Sequence, residues 1–174
     1  MSVNLPNKLT LIRIALVPVC LILLAVGWDI AAAVLFTIAS ITDFVDGYLA
    51  RRDHLVTNFG KFADPIADKI LTLSMMILMA CKGYLPVWLP IVVAVRELAV
   101  DGLRLIAVEQ GKVVAAGMSG KIKTALQMMT IIYCCVFHNV LGLILSIAVA
   151  AITIYSGVEY FWQLKDLFTK DLKG

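Results

Sequence analysis

Six apolar stretches, each separated from the next by a short polar joint, run through the chain. They cover roughly residues 9–26, 31–51, 62–81, 85–108, 122–137 and 140–161. Each is about 16–24 residues long, near the ~20 that an α-helix needs to cross hydrocarbon at roughly 1.5 Å per residue. Lipid offers backbone amides no outside partner, so these spans must be helices. The pattern predicts an all-α fold, a polytopic membrane protein with six transmembrane helices in a single domain over residues 1–174. The first stretch follows Lys8 and Arg13 as a signal peptide would. It is long, lacks a small-x-small cleavage site and leads into further apolar runs, so an uncleaved first span is expected. Asn7 is expected to open the first helix. Pro86 and Pro90 mark a start or a kink near the fourth. The tail over residues 163–174 is expected to face solvent or fray.

The joints differ in charge. Gly27-Trp28-Asp29 and the joint at His138 and Asn139 hold no Lys or Arg, and Lys82-Gly83-Tyr84 holds one. Lys8, Arg13, Arg51, Arg52, Lys61, Arg104, Lys112, Lys121, Lys123, Lys165, Lys170 and Lys173 fall on the opposite side. The positive-inside bias then places both termini and the basic loops in the cytoplasm. Tyr160 and Trp162 suit an inner interfacial belt, with Trp28 and Trp88 at the outer one.

Composition agrees with the pattern. Of 174 residues, 61% are apolar and 16% charged, against about 25% charged in an ordinary soluble domain. A chain this short cannot hide so much apolar surface within itself. That excludes a soluble α/β enzyme, a disulfide scaffold and a disordered tail. The net charge of +3 is too weak to imply a nucleic-acid partner. Cys20, Cys81, Cys134 and Cys135 match neither zinc nor redox spacing and are expected to pack as small apolar groups.

Four acids stand where acids are costly. Asp43 and Asp46 are three apart near the inner end of the second span, and Asp64 and Asp68 are four apart at the start of the third. Each pair shares a helix face. Two antiparallel helices joined by a short loop bring both pairs to a similar depth, about 5–13 Å from the loop. A mid-helix Asp costs about 2.5–3.5 kcal/mol to insert, and like charges add repulsion. Mg²⁺ or Mn²⁺, which take hard oxygen ligands, would offset this. Two such ions about 3.5–4 Å apart would suit phosphoryl transfer. An ion-pair cluster with Arg51 and Lys69, or an ion or proton path, is the alternative. Gly47 and Ala50 beside the acids form either a shallow ligand groove or a close helix contact.

The residues Asp43-x-x-Asp46-Gly47-x-x-Ala50-Arg51, then eight positions, then Gly60-x-x-x-Asp64-x-x-x-Asp68, match the signature of the CDP-alcohol phosphotransferases. The chain resembles that family along nearly its whole length. Its members are six-helix membrane enzymes, commonly homodimers, that displace CMP from a CDP-linked substrate. The resemblance implies that Asp43, Asp46, Asp64 and Asp68 hold two divalent cations, with Asp68 also the general base. It implies that Gly47 and Ala50 lie against the cytidine, that Arg51 is near the nucleotide, and that Asp43 and Asp64 help read the ribose or base. Pro6-Asn7-x-Leu9-Thr10-x-x-Arg13, Arg96-Glu97, Gly102-Leu103-Arg104, Gly111-Lys112 and Gly120-Lys121-x-Lys123-Thr124 with Gln127 resemble one bacterial branch. That branch moves a phosphatidyl group from CDP-diacylglycerol to glycerol 3-phosphate in the inner membrane, with its site facing the cytoplasm.

Glycerol 3-phosphate is a dianion that needs cations. Arg96, Arg104, Lys121 and Lys123 are the candidates, Arg as a bidentate fork and Lys as a point charge. Glu97 is the expected partner of Arg96, and Thr10 and Thr124 are possible hydroxyl contacts. The basic residues at 112, 121 and 123 equally suit lipid headgroups. A sister enzyme with another acceptor (inositol phosphate, serine or a phospholipid) and a metal-coupled transporter are the rival readings. Gly120-Lys121 is not a P-loop, because Ile122 follows the lysine and no strand precedes it. His54 and His138 fall in loops on opposite faces.

Overall fold

The computed structural model describes the backbone of residues 5–52, 58–109, 111 and 117–171, and the side chains of residues 11–42, 66–109, 111 and 117–165. Six helices follow in order among the described residues: α1 Leu5–Ala25, α2 Asp29–Arg52, α3 Asn58–Cys81, α4 Trp88–Glu109, α5 Met118–Val136 and α6 Val140–Asp171. No strand occurs among the described residues. The six apolar stretches thus correspond one to one with helices. Three boundaries move. α1 opens at Leu5 rather than Asn7, and α3 opens at Asn58 and so includes Gly60 and Lys61. The frayed tail is corrected, since α6 continues to Asp171. Neither Gly nor Pro interrupts the chain between Val158 and Asp171. Tyr160 and Leu164, one turn apart, are both buried, so a packed face reaches at least to Leu164.

Two compact units make up the chain. One comprises Met1–Tyr84 with Ile131–His138, the other Leu85–Thr130 with Asn139–Gly174. In the first, α1 packs along both α2 and α3, and α2 touches α3 over a shorter stretch. The inward stripe of α1 is Arg13, Val17, Cys20 and Leu24, all buried. Their spacing of four, three and four is that of one helix face. α2 contributes Ala32, Ala33, Phe36 and Ala39, and α3 contributes Ala67, Leu71, Met75 and Met79. The alanines let neighbouring backbones approach closely. Cys20, Cys134 and Cys135 are buried thiols, and Cys135 Sγ lies 3.8 Å from Met79 Sδ. Their packing role is as expected, whereas Cys81, at the end of α3, is exposed.

Glycine ends two helices of this unit in the same way. Gly27 has φ 88° and Gly83 φ 76°, a left-handed conformation that costs glycine nothing. Trp28 N–H reaches Leu23 O at 2.9 Å, and Tyr84 N–H reaches Met79 O at 2.9 Å. These bonds satisfy carbonyls that a helix end leaves open. The turns then meet through side chains. Lys82 Nζ donates to Leu24 O at 2.6 Å and to Asp29 Oδ1 at 3.2 Å. Tyr84 Oη donates to Asp29 Oδ2 at 2.8 Å. The Tyr84 ring lies 4.0 Å from that of His138, centroid to centroid. Asp29 also opens α2, where a negative charge favours the helix dipole.

In the second unit α4 and α6 run along each other. Val100, Ala107, Tyr160 and Leu164 form a buried cluster against which Leu103 packs. Pro90 lies in the first turn of α4, where a missing N–H costs no helical bond, so it belongs to a start. Buried hydroxyls bond back to their own helix: Ser146 to Gly142 O at 2.8 Å, Thr130 to Leu126 O at 2.8 Å and Ser156 to Thr153 O at 3.0 Å. Such bonds let a hydroxyl sit in apolar surroundings.

By length and composition, one described helix segment, Val140–Lys165, suffices to cross a membrane. Leu11–Ala25 and Asp29–Thr42 are shorter apolar stretches. Many large apolar side chains point outward, Leu98 at 72% and Ile30 at 68% exposure among them, while Arg13 and Lys123 are each 4% exposed.

Candidate active site

The paired acids lie on helical backbone. Asp43 and Asp46 occupy the C-terminal half of α2, and Asp64 and Asp68 the N-terminal half of α3. Helical spacing therefore puts each pair on one face, and both helices lean on α1. The side chains of Asp43, Asp46, Gly47, Ala50, Arg51 and Asp64 lie outside the described residues. Asp68 is half-buried, next to the fully buried Ala67. Its carbonyl accepts a hydrogen bond from Thr72 Oγ1 at 2.9 Å, which also reaches Lys69 O at 3.3 Å. Thr72 is thereby committed to the backbone one turn beyond Asp68. Ser40, one turn before Asp43, has a buried Oγ with no partner among the described residues. Its sequence signal was small, since a lone serine in an apolar helix usually bonds back to its own turn. Arg13, counted from sequence among the cytoplasmic basic residues, lies inside the α1 stripe.

The four acceptor-site candidates belong to the second unit and have distinct surroundings. Arg96 Nη1 donates to Glu97 Oε1 at 3.2 Å, and Lys123 Nζ donates to the same oxygen. Lys123 is 4% exposed, and a buried ammonium persists only with such a partner. Glu97 pairs with Arg96 as expected. Its second cation, from α5, had no signal in the sequence. Arg96 lies near two glycines. A Cβ at Gly120 would lie 3.7 Å from its Nη2, and a Cβ at Gly157 would lie 3.2 Å from its Cγ. Its Nε is buried without a partner among the described residues. Arg104 Nε donates to Tyr160 Oη at 2.9 Å, and its Cζ lies 5.3 Å from the centre of that ring. Lys121 is exposed. Ser119 Oγ donates to Glu159 Oε2, linking α5 to α6. Tyr160 and Glu159 were not singled out as site residues from sequence.

Beside Arg96 runs an apolar groove of about 390 Å³, lined by Val95, Ala99, Leu103, Ile154 and Phe161 among others. A second apolar groove, of about 490 Å³, lies in the first unit along Leu21, Ile22, Ile77 and Leu78. Chemically the second unit offers fixed guanidinium groups and a paired ammonium, suited to a phosphate oxyanion. The first unit offers carboxylates at helical spacing, a donor set of hard oxygens that fits divalent cations.

These features define a helical protein with two acid-bearing helices in its first unit and buried cationic side chains in its second. The chain belongs to the CDP-alcohol phosphatidyltransferase family, whose profile matches residues 3–155. It is 43% identical to the CDP-diacylglycerol–glycerol-3-phosphate 3-phosphatidyltransferase of Bacillus subtilis, over 91% of this chain and 93% of that protein. It is 36% identical to the Rickettsia typhi protein of the same name, over 95% of this chain and 99% of the relative. A probable phosphatidylglycerophosphate synthase of Mycobacterium tuberculosis is 38% identical, over 90% of this chain and 79% of its own length.

Proposed function

We propose that this chain transfers the phosphatidyl group of CDP-diacylglycerol to glycerol 3-phosphate, giving phosphatidylglycerophosphate and CMP. The observation that carries this reading is the 43% identity to the Bacillus enzyme across 91% of the chain. The acid motif over Asp43–Asp68, complete at every position, supports the same chemistry.

In this reading Asp43, Asp46, Asp64 and Asp68 hold two divalent cations, Mg²⁺ or Mn²⁺. When bound, such ions neutralise the diphosphate and the charge on departing CMP. The primary hydroxyl oxygen of glycerol 3-phosphate forms a bond to the lipid-side phosphorus, and the bond from that phosphorus to the CMP oxygen breaks. A carboxylate oxygen of Asp68 takes the hydroxyl proton. Gly47 and Ala50 admit the cytidine, Arg51 meets the nucleotide, and Asp43 and Asp64 contact its ribose or base. Arg96, Arg104, Lys121 and Lys123 bind the acceptor phosphate. The shared Glu97 supports this reading, because it stabilises two cations inside apolar helices and limits their mutual repulsion.

All six helices cross a bacterial inner membrane in this reading. Both termini and the site face the cytoplasm, residues 1–174 form one catalytic domain, and the enzyme works as a homodimer. The outward apolar side chains and the one-sided distribution of Lys and Arg support the spans and their orientation. The test uses purified protein, CDP-diacylglycerol, Mg²⁺ or Mn²⁺ and a panel of acceptors, read by CMP release. Glycerol 3-phosphate should drive release. Release with inositol phosphate, serine or a phospholipid but not with glycerol 3-phosphate would overturn the assignment.

A further inference from the structure

The Arg104–Tyr160 contact in the second unit goes beyond a charge near a phosphate. Tyr160 is 4% exposed and packs with Leu164 of its own helix and with Val100, Leu103 and Ala107 of α4. Those α4 residues flank Arg104 in sequence, so the phenol is fixed on the helix that carries the guanidinium. A guanidinium has two edges able to grip an anion with parallel N–H bonds, one of them including Nε. Tyr160 Oη accepts from Nε at 2.9 Å. Among the described residues Nη1 and Nη2 of Arg104 make no hydrogen bond.

We propose that Tyr160 is a positioning residue for the acceptor. By holding the Nε edge it leaves the Nη1–Nη2 edge of Arg104 as the fork for a phosphate monoester. This rests on the acceptor-phosphate role given to Arg104 above. The physical gain is preorganisation. A free arginine side chain has up to ~2 kcal/mol of rotamer entropy to lose on ordering, and a guanidinium already held at Nε and laid against a ring loses less when the anion arrives. The device also discriminates. An uncharged acceptor, such as a simple alcohol, gains nothing from an oriented fork.

The test compares steady-state kinetics of the full-length protein and its Tyr160→Phe, Arg104→Ala, Arg104→Lys and doubly substituted (Tyr160→Phe with Arg104→Ala) forms. Tyr160→Phe keeps the ring and removes the hydroxyl that Arg104 Nε donates to. It should raise the KM for glycerol 3-phosphate roughly tenfold, the scale of one hydrogen bond to a charged group, with kcat and the KM for CDP-diacylglycerol unchanged. Adding Tyr160→Phe to Arg104→Ala should change the acceptor KM no further. Arg104→Lys keeps charge but not the fork, and should resemble Arg104→Ala. Equal changes for both substrates in Tyr160→Phe would overturn the positioning role, as would additive effects in the double variant. Recovery of a normal acceptor KM by Arg104→Lys would do so without reference to Tyr160→Phe. An unchanged acceptor KM in Arg104→Ala would instead remove the phosphate role of Arg104 itself.

Discussion

Asp68 sits half-buried on α3, and its backbone carbonyl accepts from Thr72, a bond that the Asp68→Asn substitution leaves in place. Asp68→Asn should therefore lower CMP release by about 10²–10⁴-fold, the usual range for losing a general base, while circular dichroism keeps its helical signal. Turnover at the normal rate would remove the base assignment. The acid spacing was legible because residues three and four apart on a helix must share a face. The partner of Lys123 was not. Glu97 lies 26 positions away, and periodicity gives the inward face of a helix without saying which helix it meets. Arg13 shows both sides of this limit. Its place in a stripe with Val17, Cys20 and Leu24 could be counted from spacing, yet its basic character suggested a membrane-edge residue.

At the scale of elements, the ends of helices are held more specifically than their middles. Gly27 and Gly83 close α1 and α3 with the same backbone bonds, and Asp29, Lys82 and Tyr84 join the resulting turns. Burial acts to lower the Lys82 pKa, but the hydrogen bonds and attraction from Tyr84 and Asp29 outweigh it and push the ammonium above its ordinary 10.5. The folded chain thus holds this proton more tightly than the unfolded one. The resulting stability is complete below pH 10.5 and fades as pH rises through the higher folded value. Asp29→Asn should lower the thermal midpoint in detergent by roughly 2–4 °C at neutral pH, as about 1 kcal/mol does for a chain of this size. The difference between wild type and variant should shrink as pH rises past 10.5. A difference that stayed constant to stronger alkali would show that the Lys82 charge has no part in it. Both turns were legible as polar joints; their mutual bonding was not, because Asp29 and Lys82 are 53 positions apart. The end of α6 was misplaced because its charged residues resemble a tail. Leu164 is buried within it, and its backbone continues helical to Asp171.

For the whole molecule, chelation is the decisive perturbation. Thorough treatment with EDTA should abolish CMP release, and added Mg²⁺ or Mn²⁺ should restore it, with helical content unchanged throughout. Activity that survived chelation would leave the four acids without their proposed role. An excess of acids in apolar helices is costly, so a site of this kind is visible in one dimension as a violation of the surrounding pattern.

The sequence by itself determined the six helices of the described residues, where each lies to within about a turn except at the end of α6, and that the four motif acids fall as two face-sharing pairs. These are local properties, set by hydrophobic periodicity and by spacing along a single helix. Tertiary structure decided that Glu97 also meets Lys123, that Arg104 rests on Tyr160, and that Lys82 bonds to Asp29. Each of these joins different segments of the chain. The reason is that side chains distant in sequence meet only after helices have packed, and packing depends on the shapes of whole faces rather than on any one repeat.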